Sequence, residues 1–402
     1  MSLIELWQSS PAQFENKQVQ QIIGFAGDGV LRNQSLASCE FREFLAAIPS
    51  ELLGEFGRSC LDKPFTNSGF ALQDIVNEVG RRLGFSVESG LYQGNRSDIG
   101  FDGLWQLPSN HHVVVEVKTT DTYRIDTATT AEYRRRLIED DRIDEEASSI
   151  LFVVGREDTG DLEAQIRGSR HAWDVRLISF DSLLRLLLLK EGADDPRIVE
   201  RICEILIPKE FTRLDHIVDI VFLTAEDSKD ESEALDDSVD SEMPDATEKA
   251  GFKRLGGAAK FNEACARRFG EVHSIALTRV SKTTYQAADK GIRIVSLVSR
   301  DYEKLSETPD PAKGSFWYGL RDYHKEFIDE AHDGYLVLGC GNPEEMLVIP
   351  SKEIESWLQR LNTTVKASGT THWHFHLYRE GETFYIEPKK GFDRIDVSRF
   401  RV

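Results

Sequence analysis

The sequence predicts two folded halves: first a mixed α/β unit whose sheet carries helices on both faces, then a separate α+β unit. Three observations carry this. The 402 residues exceed the ~100–200 typical of one domain. Residues 226–248 hold eleven acids and one base with almost no apolar periodicity, the composition of a solvated tether. On either side of that tether, apolar residues recur at helical and strand periods. The expected domains are a mostly helical extension over 1–64, a sheet-bearing unit over 65–225, an acidic linker over 226–249 and an α+β unit over 250–402.

In the first half, residues 13–58 read as helical with breaks, and Gly27-Asp28-Gly29 marks a turn. Ser68 is placed to cap a helix over 69–83, with Leu72, Ile75, Val76, Val79 and Leu83 on one face and Gly84 ending it. A strand follows near 85–91, then two strands flanking Pro108-Ser109-Asn110, and a charged helix over 129–142. The apolar run Ile150 to Val154 suits a buried strand. A helix over 160–172, a strand at 175–178 and a Leu-rich helix over 181–191 complete an α-β-β-β-α-β-α-β-α order. In the second half, strands are expected at 292–298, 335–340, 346–349, 372–378 and 383–387, with helices near 259–269 and 321–332. No internal repeat is legible at any fixed period.

Composition excludes several classes of function. The net charge of −20 argues against tail-driven nucleic-acid binding of the histone type. Half of it sits in the tether, however: residues 1–225 carry −13 and residues 250–402 carry +2. Five scattered cysteines without a Cys-x-x-Cys pair speak against a zinc ribbon or disulfide scaffold and for a reducing compartment. The N-terminus lacks a basic and apolar leader, and the greasy run Leu183–Leu189 is too short for a span, so a cytoplasmic protein without membrane contact is expected. Neither a Gly-x-Ser-x-Gly elbow nor a Walker loop is present.

The chemistry concentrates between Asp98 and Lys118. If the hairpin turn centres on Ser109, Asp102 and Glu116 each lie seven residues from it and face one another. Directly opposed Cβ atoms are ~4.5–5.5 Å apart. Two facing carboxylates repel unless a cation lies between them. Lys118 shares the face of Glu116, because strand side chains alternate. Val113, Val114, Val115 and Val117 make the strand apolar on both faces, hence central, where an unpaired charge is costly. Asp102 and Glu116 are therefore candidate ligands of Mg²⁺ or Mn²⁺, with Lys118 orienting water or neutralising developing charge.

Asp102, a 13-residue gap, then Glu116-Val117-Lys118, set in the α-β-β-β-α-β order, resembles the PD-(D/E)XK nuclease superfamily, the restriction-endonuclease-like fold. The resemblance spans residues 65–192, and Phe101 stands where the motif's name has proline. It implies that Asp102 and Glu116 ligate the metal, that Lys118 is the catalytic lysine and that DNA is the substrate. The resemblance points to Glu78 as an acid on the first core helix near the metal, against pairing with Arg82 at i+4. It also points to Gln165 as a glutamine near the site, against a solvated helix face. Asp98 is an alternate ligand. Asp121 and Asp126 read as caps of the next helix. Arg134-Arg135-Arg136 reads as salt-bridged to Glu139 and Asp140, while Arg167 and Arg170 could touch a DNA backbone.

Residues 250–402 are rich in aromatics, among them Trp317 and Tyr318, which could form a stacking platform for a modified or flipped base. His372, His374 and His376 share one strand face but spread over ~13 Å, so at most two neighbours could share an ion. The expected whole is a metal-dependent DNA endonuclease of the bacterial restriction or defence kind, with the second half recognising target DNA or a modification. Its partners would be DNA, a second copy in a homodimer, or a further subunit of a defence system. The rival expectation is a nucleic-acid-binding or scaffold protein that keeps the fold without the activity.

Overall fold

The computed structural model describes residues 2–14, 17–93, 99–119, 125–155, 160–193, 196–208, 257–305, 310–365 and 370–402. The expected acidic linker over 226–249, Asp98 and Asp121 lie outside them. Backbone contacts divide the chain into two compact units: Met1–Ala193 with Arg197–Thr224, and Asp194–Pro196 with Ala225–Val402.

The first unit opens with α1 (Leu3–Ser9), α2 (Val19–Ile23), α3 (Leu36–Ala47) and α4 (Ser50–Asp62). These helices share one core with the sheet: Leu3, Phe41, Phe44, Leu53 and Phe56 join Ile75, Val79, Trp105, Val113 and Val115. The central helix α5 (Ser68–Leu83) starts one residue earlier than the cap reading implied. Asn67 takes the cap position in the left-handed region at φ 69°, and Ser68 is the first helical residue. Its end follows the sequence: Gly84 adopts φ 111°, while the Gly84 and Phe85 amides donate to the Arg81 and Gly80 carbonyls in a Schellman arrangement.

Next come β1 (Ser86–Ser89), β2 (Gly103–Gln106), β3 (His112–Lys118), α6 (Thr127–Glu139), β4 (Ser148–Val154), α7 (Gly160–Arg167), β5 (Val175–Ser179), α8 (Phe180–Gly192) and α9 (Pro196–Ile205). The strands form one sheet in sequential order. Pairs β1–β2 and β2–β3 are antiparallel; β3–β4 and β4–β5 are parallel. Leu183, Leu184 and Leu187 of α8 pack with α5 on one face, whereas Leu137 of α6 and Leu162 and Ile166 of α7 cover the other. With both faces covered, β4 is buried along its whole length. Helices α6 and α7 are shorter than expected.

The second unit contains α10 (Gly257–His273), β6 (Leu277–Arg279), β7 (Thr284–Ala287), β8 (Ile292–Ser299), β9 (Lys313–Arg321), α11 (Asp322–Asp329), β10 (Asp333–Cys340), β11 (Met346–Pro350), α12 (Ser351–Leu358), β12 (Asn362–Val365), β13 (Thr371–Glu380), β14 (Thr383–Glu387) and β15 (Ile395–Asp396). One sheet runs β11-β10-β8-β7-β6; the other runs β12-β13-β14-β15, with β9 on β13. Strand β9, with Trp317 and Tyr318 at its middle, was legible only as an aromatic cluster.

The two units share a connectivity that no sequence period betrays. In the first, α5 precedes the antiparallel run β1-β2-β3, and α6 leads to β4, parallel to β3. In the second, α10 precedes the antiparallel run β6-β7-β8, and α11 leads to β10, parallel to β8. Strand β9 is inserted before α11. Among the described residues, no helix is long and apolar enough to cross a membrane.

Candidate active site

The β2–β3 ladder pairs Gly103 with Val115, Leu104 with Val114, Trp105 with Val113 and Gln106 with His112. Ser109 is therefore the centre of the turn, closed by the Leu107 amide on the His111 carbonyl, with Asn110 at φ 66°. One step beyond the ladder, the Asp102 amide donates to the Val115 carbonyl at 3.1 Å, which places Asp102 beside Glu116.

Asp102 is held through its backbone and its side chain. Its carbonyl accepts from Gln73 Nε2 at 3.0 Å, Asn77 Nδ2 at 2.9 Å and the Gly90 amide at 2.9 Å. Asn77 Oδ1 accepts from Trp105 Nε1 at 2.9 Å, so one α5 side chain fixes both ends of this strand segment. Asp102 Oδ2 accepts from the Val117 amide at 2.7 Å. Burial, and then the neighbouring Glu116 carboxylate, push the Asp102 acid up to about 7.

Glu116 is also enclosed, with its side chain 12% exposed. Its Oε1 accepts from Lys118 Nζ at 2.5 Å. Its Oε2 is buried and has no hydrogen-bond partner among the described residues. Burial raises the Glu116 pKa despite the nearby ammonium. For Lys118, burial acts downward, but Glu116 outweighs it, and the ammonium is held above the ordinary lysine value. Tyr133 of α6 lines the same face: its phenol is raised first by burial and then by Glu116. Asp126 caps α6 by accepting from the Thr129 amide at 3.0 Å, as the sequence reading expected.

A buried carboxylate oxygen without a donor costs on the order of 1–3 kcal/mol or more. Beside a second, partly protonated carboxyl, it is a donor set suited to a hard divalent cation, which takes one or two carboxylates and keeps several waters. Asp102 and Glu116 are the residues that could hold such an ion. Among the described residues, no group of three His, Cys, Asp or Glu side chains gathers for a metal.

Glu78, Gln165, Arg167 and Arg170 each bond to neighbours of their own. Glu78 is buried, and its carboxylate is taken by Arg82 Nε at 3.1 Å and Arg81 at 3.4 Å. Arg82 in turn donates to the Leu45 and Ile48 carbonyls and to Ser50. Glu78 thus anchors α5 to the N-terminal helices, a buried pair where the sequence suggested a surface one. Gln165 Oε1 accepts from the Ile125 amide at 3.1 Å, tying α7 to the start of α6. Arg167 is exposed and paired with Glu163, and Arg170 donates to His171 at 3.0 Å. Arg135 pairs with Glu132 and Glu139, whereas Arg134 turns to Ser148.

Tyr318 cannot contact nucleic acid in this fold. It is 2% exposed, on the inward face of β9, and its hydroxyl donates to the Gly339 carbonyl at 2.9 Å. Strand alternation sends its neighbour Trp317 outward, stacked on His374 with ring centroids 5.5 Å apart. His372 and His374 lie 5.9 Å apart, and His376 stacks on Tyr378.

Gln73 and Asn77 are the positioning residues that sequence reasoning missed. They lie at i and i+4 on the flank of α5 beside its apolar stripe, where amides on a solvated face would read the same. No protein-family model matches this chain, and no curated protein matches it either.

Proposed function

We propose that Asp102, Glu116 and Lys118 form a metal-dependent phosphodiesterase centre acting on DNA, in an endonuclease of restriction or defence character, with the second unit engaged in target recognition. The observation that carries this is the partnerless, buried Glu116 Oε2 beside the elevated Asp102 acid. A fold that served only to scaffold would gain by replacing either acid with an apolar residue.

In this reading Glu116 Oε2 and the Asp102 carboxylate are the oxygens offered to Mg²⁺ or Mn²⁺. When bound, the ion supplies Lewis acidity to a phosphoryl oxygen and lowers the pKa of a coordinated water. The Val117 amide keeps Asp102 Oδ2 fixed in orientation. Lys118, now on Glu116 Oε1, would with its ammonium stabilise the charge that grows on the phosphate oxygens. Hydrolysis joins the water oxygen to phosphorus and breaks the bond to one ester oxygen, which leaves as the alcohol.

The test is cleavage of supercoiled plasmid by the full chain with Mg²⁺ or Mn²⁺. Lys118→Ala should lose at least roughly a hundredfold in rate, with an unchanged circular dichroism spectrum and melting profile. Calorimetry should show Mn²⁺ binding that disappears in an Asp102→Asn, Glu116→Gln double variant. Cleavage that survives Lys118→Ala, or metal binding that survives the double change, sinks the assignment.

A further inference from the structure

We propose that Tyr133 is a further catalytic residue of the site, its hydroxyl donating a hydrogen bond to a non-bridging oxygen of the phosphate under attack. The proposal rests on the phosphodiesterase reading of Asp102, Glu116 and Lys118 and adds a group to it. Helix α6 aims the ring. Thr130, Tyr133 and Leu137 recur at i, i+3 and i+7, which is one face of a helix. Thr130 and Leu137 are buried, and Tyr133, half-buried, packs against the core that Leu137 shares with Phe101, Val114 and Phe152. Arg134 pins the same helix to β4 through Ser148 Oγ at 2.9 Å.

Gly100 places the hydroxyl. A Cβ at this position would stand 2.9 Å from the Tyr133 hydroxyl oxygen and 3.1 Å from Cζ, closer than a side chain there allows. The Gly100 φ lies outside the left-handed region, so its backbone does not itself call for glycine. What glycine permits is close approach: the phenol lies directly against the chain two residues before Asp102. From the other side, the charges of Glu116, Lys118 and Asp102 all act on the phenol, and the phenol acts on Lys118 in turn. Among the described residues, none takes up the hydroxyl in a hydrogen bond.

Chemistry assigns the role. As carboxylates, Asp102 and Glu116 offer only acceptors, which suit the ion and repel a phosphate. A phosphate under attack gains charge on its non-bridging oxygens, and these need donors. Lys118 supplies a charged one. Tyr133 supplies a neutral, directed one, and keeps its proton throughout. Its hydroxyl thus adds stabilisation without adding a further charge to a group of residues already crowded with it.

The experiment compares Tyr133→Phe with the wild type, as full chains, in plasmid cleavage, Mn²⁺ calorimetry and thermal melts. Phenylalanine keeps the ring and its packing and removes only the hydroxyl. The expected result is a kcat lowered at least roughly tenfold, with KM, Mn²⁺ affinity and melting temperature unchanged, the pattern of a contact made only in the transition state. Suppose instead that Tyr133→Phe cuts at the wild-type rate while Lys118→Ala is silent. The role of Tyr133 is then overturned and the metal-site reading stands. A lower kcat accompanied by weaker Mn²⁺ binding or a lower melting temperature makes Tyr133 a packing residue and equally overturns it. A wild type that neither binds Mn²⁺ nor cuts sinks the metal-site reading itself, and the role of Tyr133 with it.

Discussion

Asp102 is asked to be two things at once. It lies one step beyond the β2–β3 ladder, beside another carboxylate, and the Val117 amide stabilises its charged form, yet burial and Glu116 hold its pKa near 7. An unfolded aspartate titrates near ~3.9. Between about pH 4 and about pH 7 the folded chain therefore binds more protons at this position than the unfolded chain, and stability falls as pH rises through that window. Asp102→Asn keeps the acceptor for the Val117 amide and removes the charge. In EDTA it should raise stability by about 1–3 kcal/mol at pH 8 and leave it nearly unchanged at pH 4. Thermal melts at the two pH values check this. A variant less stable than wild type at pH 8 would show the carboxylate to be fully compensated. The turn centre at Ser109 was legible because strand alternation and a short turn leave one register, which brings Asp102 to the end of the ladder. The inward face of Tyr318 was not, because the parity of β9 is set by which side its partner β13 buries.

Among the elements, α5 does the most to position the site. Sequence periodicity found its apolar stripe, Leu72, Ile75, Val76, Val79 and Leu83, and its glycine stop. It gave no sign that Gln73, Asp74, Asn77, Glu78 and Arg82 are buried as well. The reason is that α5 lies between the sheet and the N-terminal helices, so its polar stripe faces protein. Asp74 takes Arg42 at 2.8 Å and the Tyr92 hydroxyl; Arg82, paired with Glu78, donates to Ser50, which donates to Glu191 at 2.6 Å. Such a network is silent in a single sequence, since the same residues on a solvated face would read identically. Asn77 is its link to the site. Asn77→Leu would strand the Trp105 indole N–H without an acceptor and take one donor from the Asp102 carbonyl. The expected cost is about 2–4 kcal/mol in chemical denaturation, with the rate of plasmid cleavage falling further than Asn77→Gln makes it fall. Equal activity in the leucine variant and the wild type would remove Asn77 from any positioning role.

At the scale of the whole molecule, one connectivity occurs twice but its chemistry occurs once. Strands β2 and β3 bring Asp102, Glu116 and Lys118 together, whereas β7 and β8, their counterparts in order and pairing, contain no carboxylate. Ser296 and Ser299 near the end of β8 are bonded within the unit, to the Asn262 and Arg300 carbonyls. Sequence reading missed the repetition because strand order and pairing leave side chains free to diverge, while a repeat search needs residues that match. Charge follows the same division: the −13 of residues 1–225 opposes DNA, and the +2 of residues 250–402 does not. One proposed centre among the described residues has a kinetic consequence for the proposed activity. A single centre breaks one phosphodiester bond per encounter, so cutting both strands needs a second encounter or a second chain. With plasmid in large excess over protein, nicked circles should accumulate before linear DNA appears. Raising the protein concentration should shorten the nicked phase more than in proportion if two copies act together. Linear product arising directly from supercoiled plasmid at protein concentrations where the chain sediments as a monomer, with no nicked intermediate, would require a second cutting centre in the same chain and would refute the single-centre account.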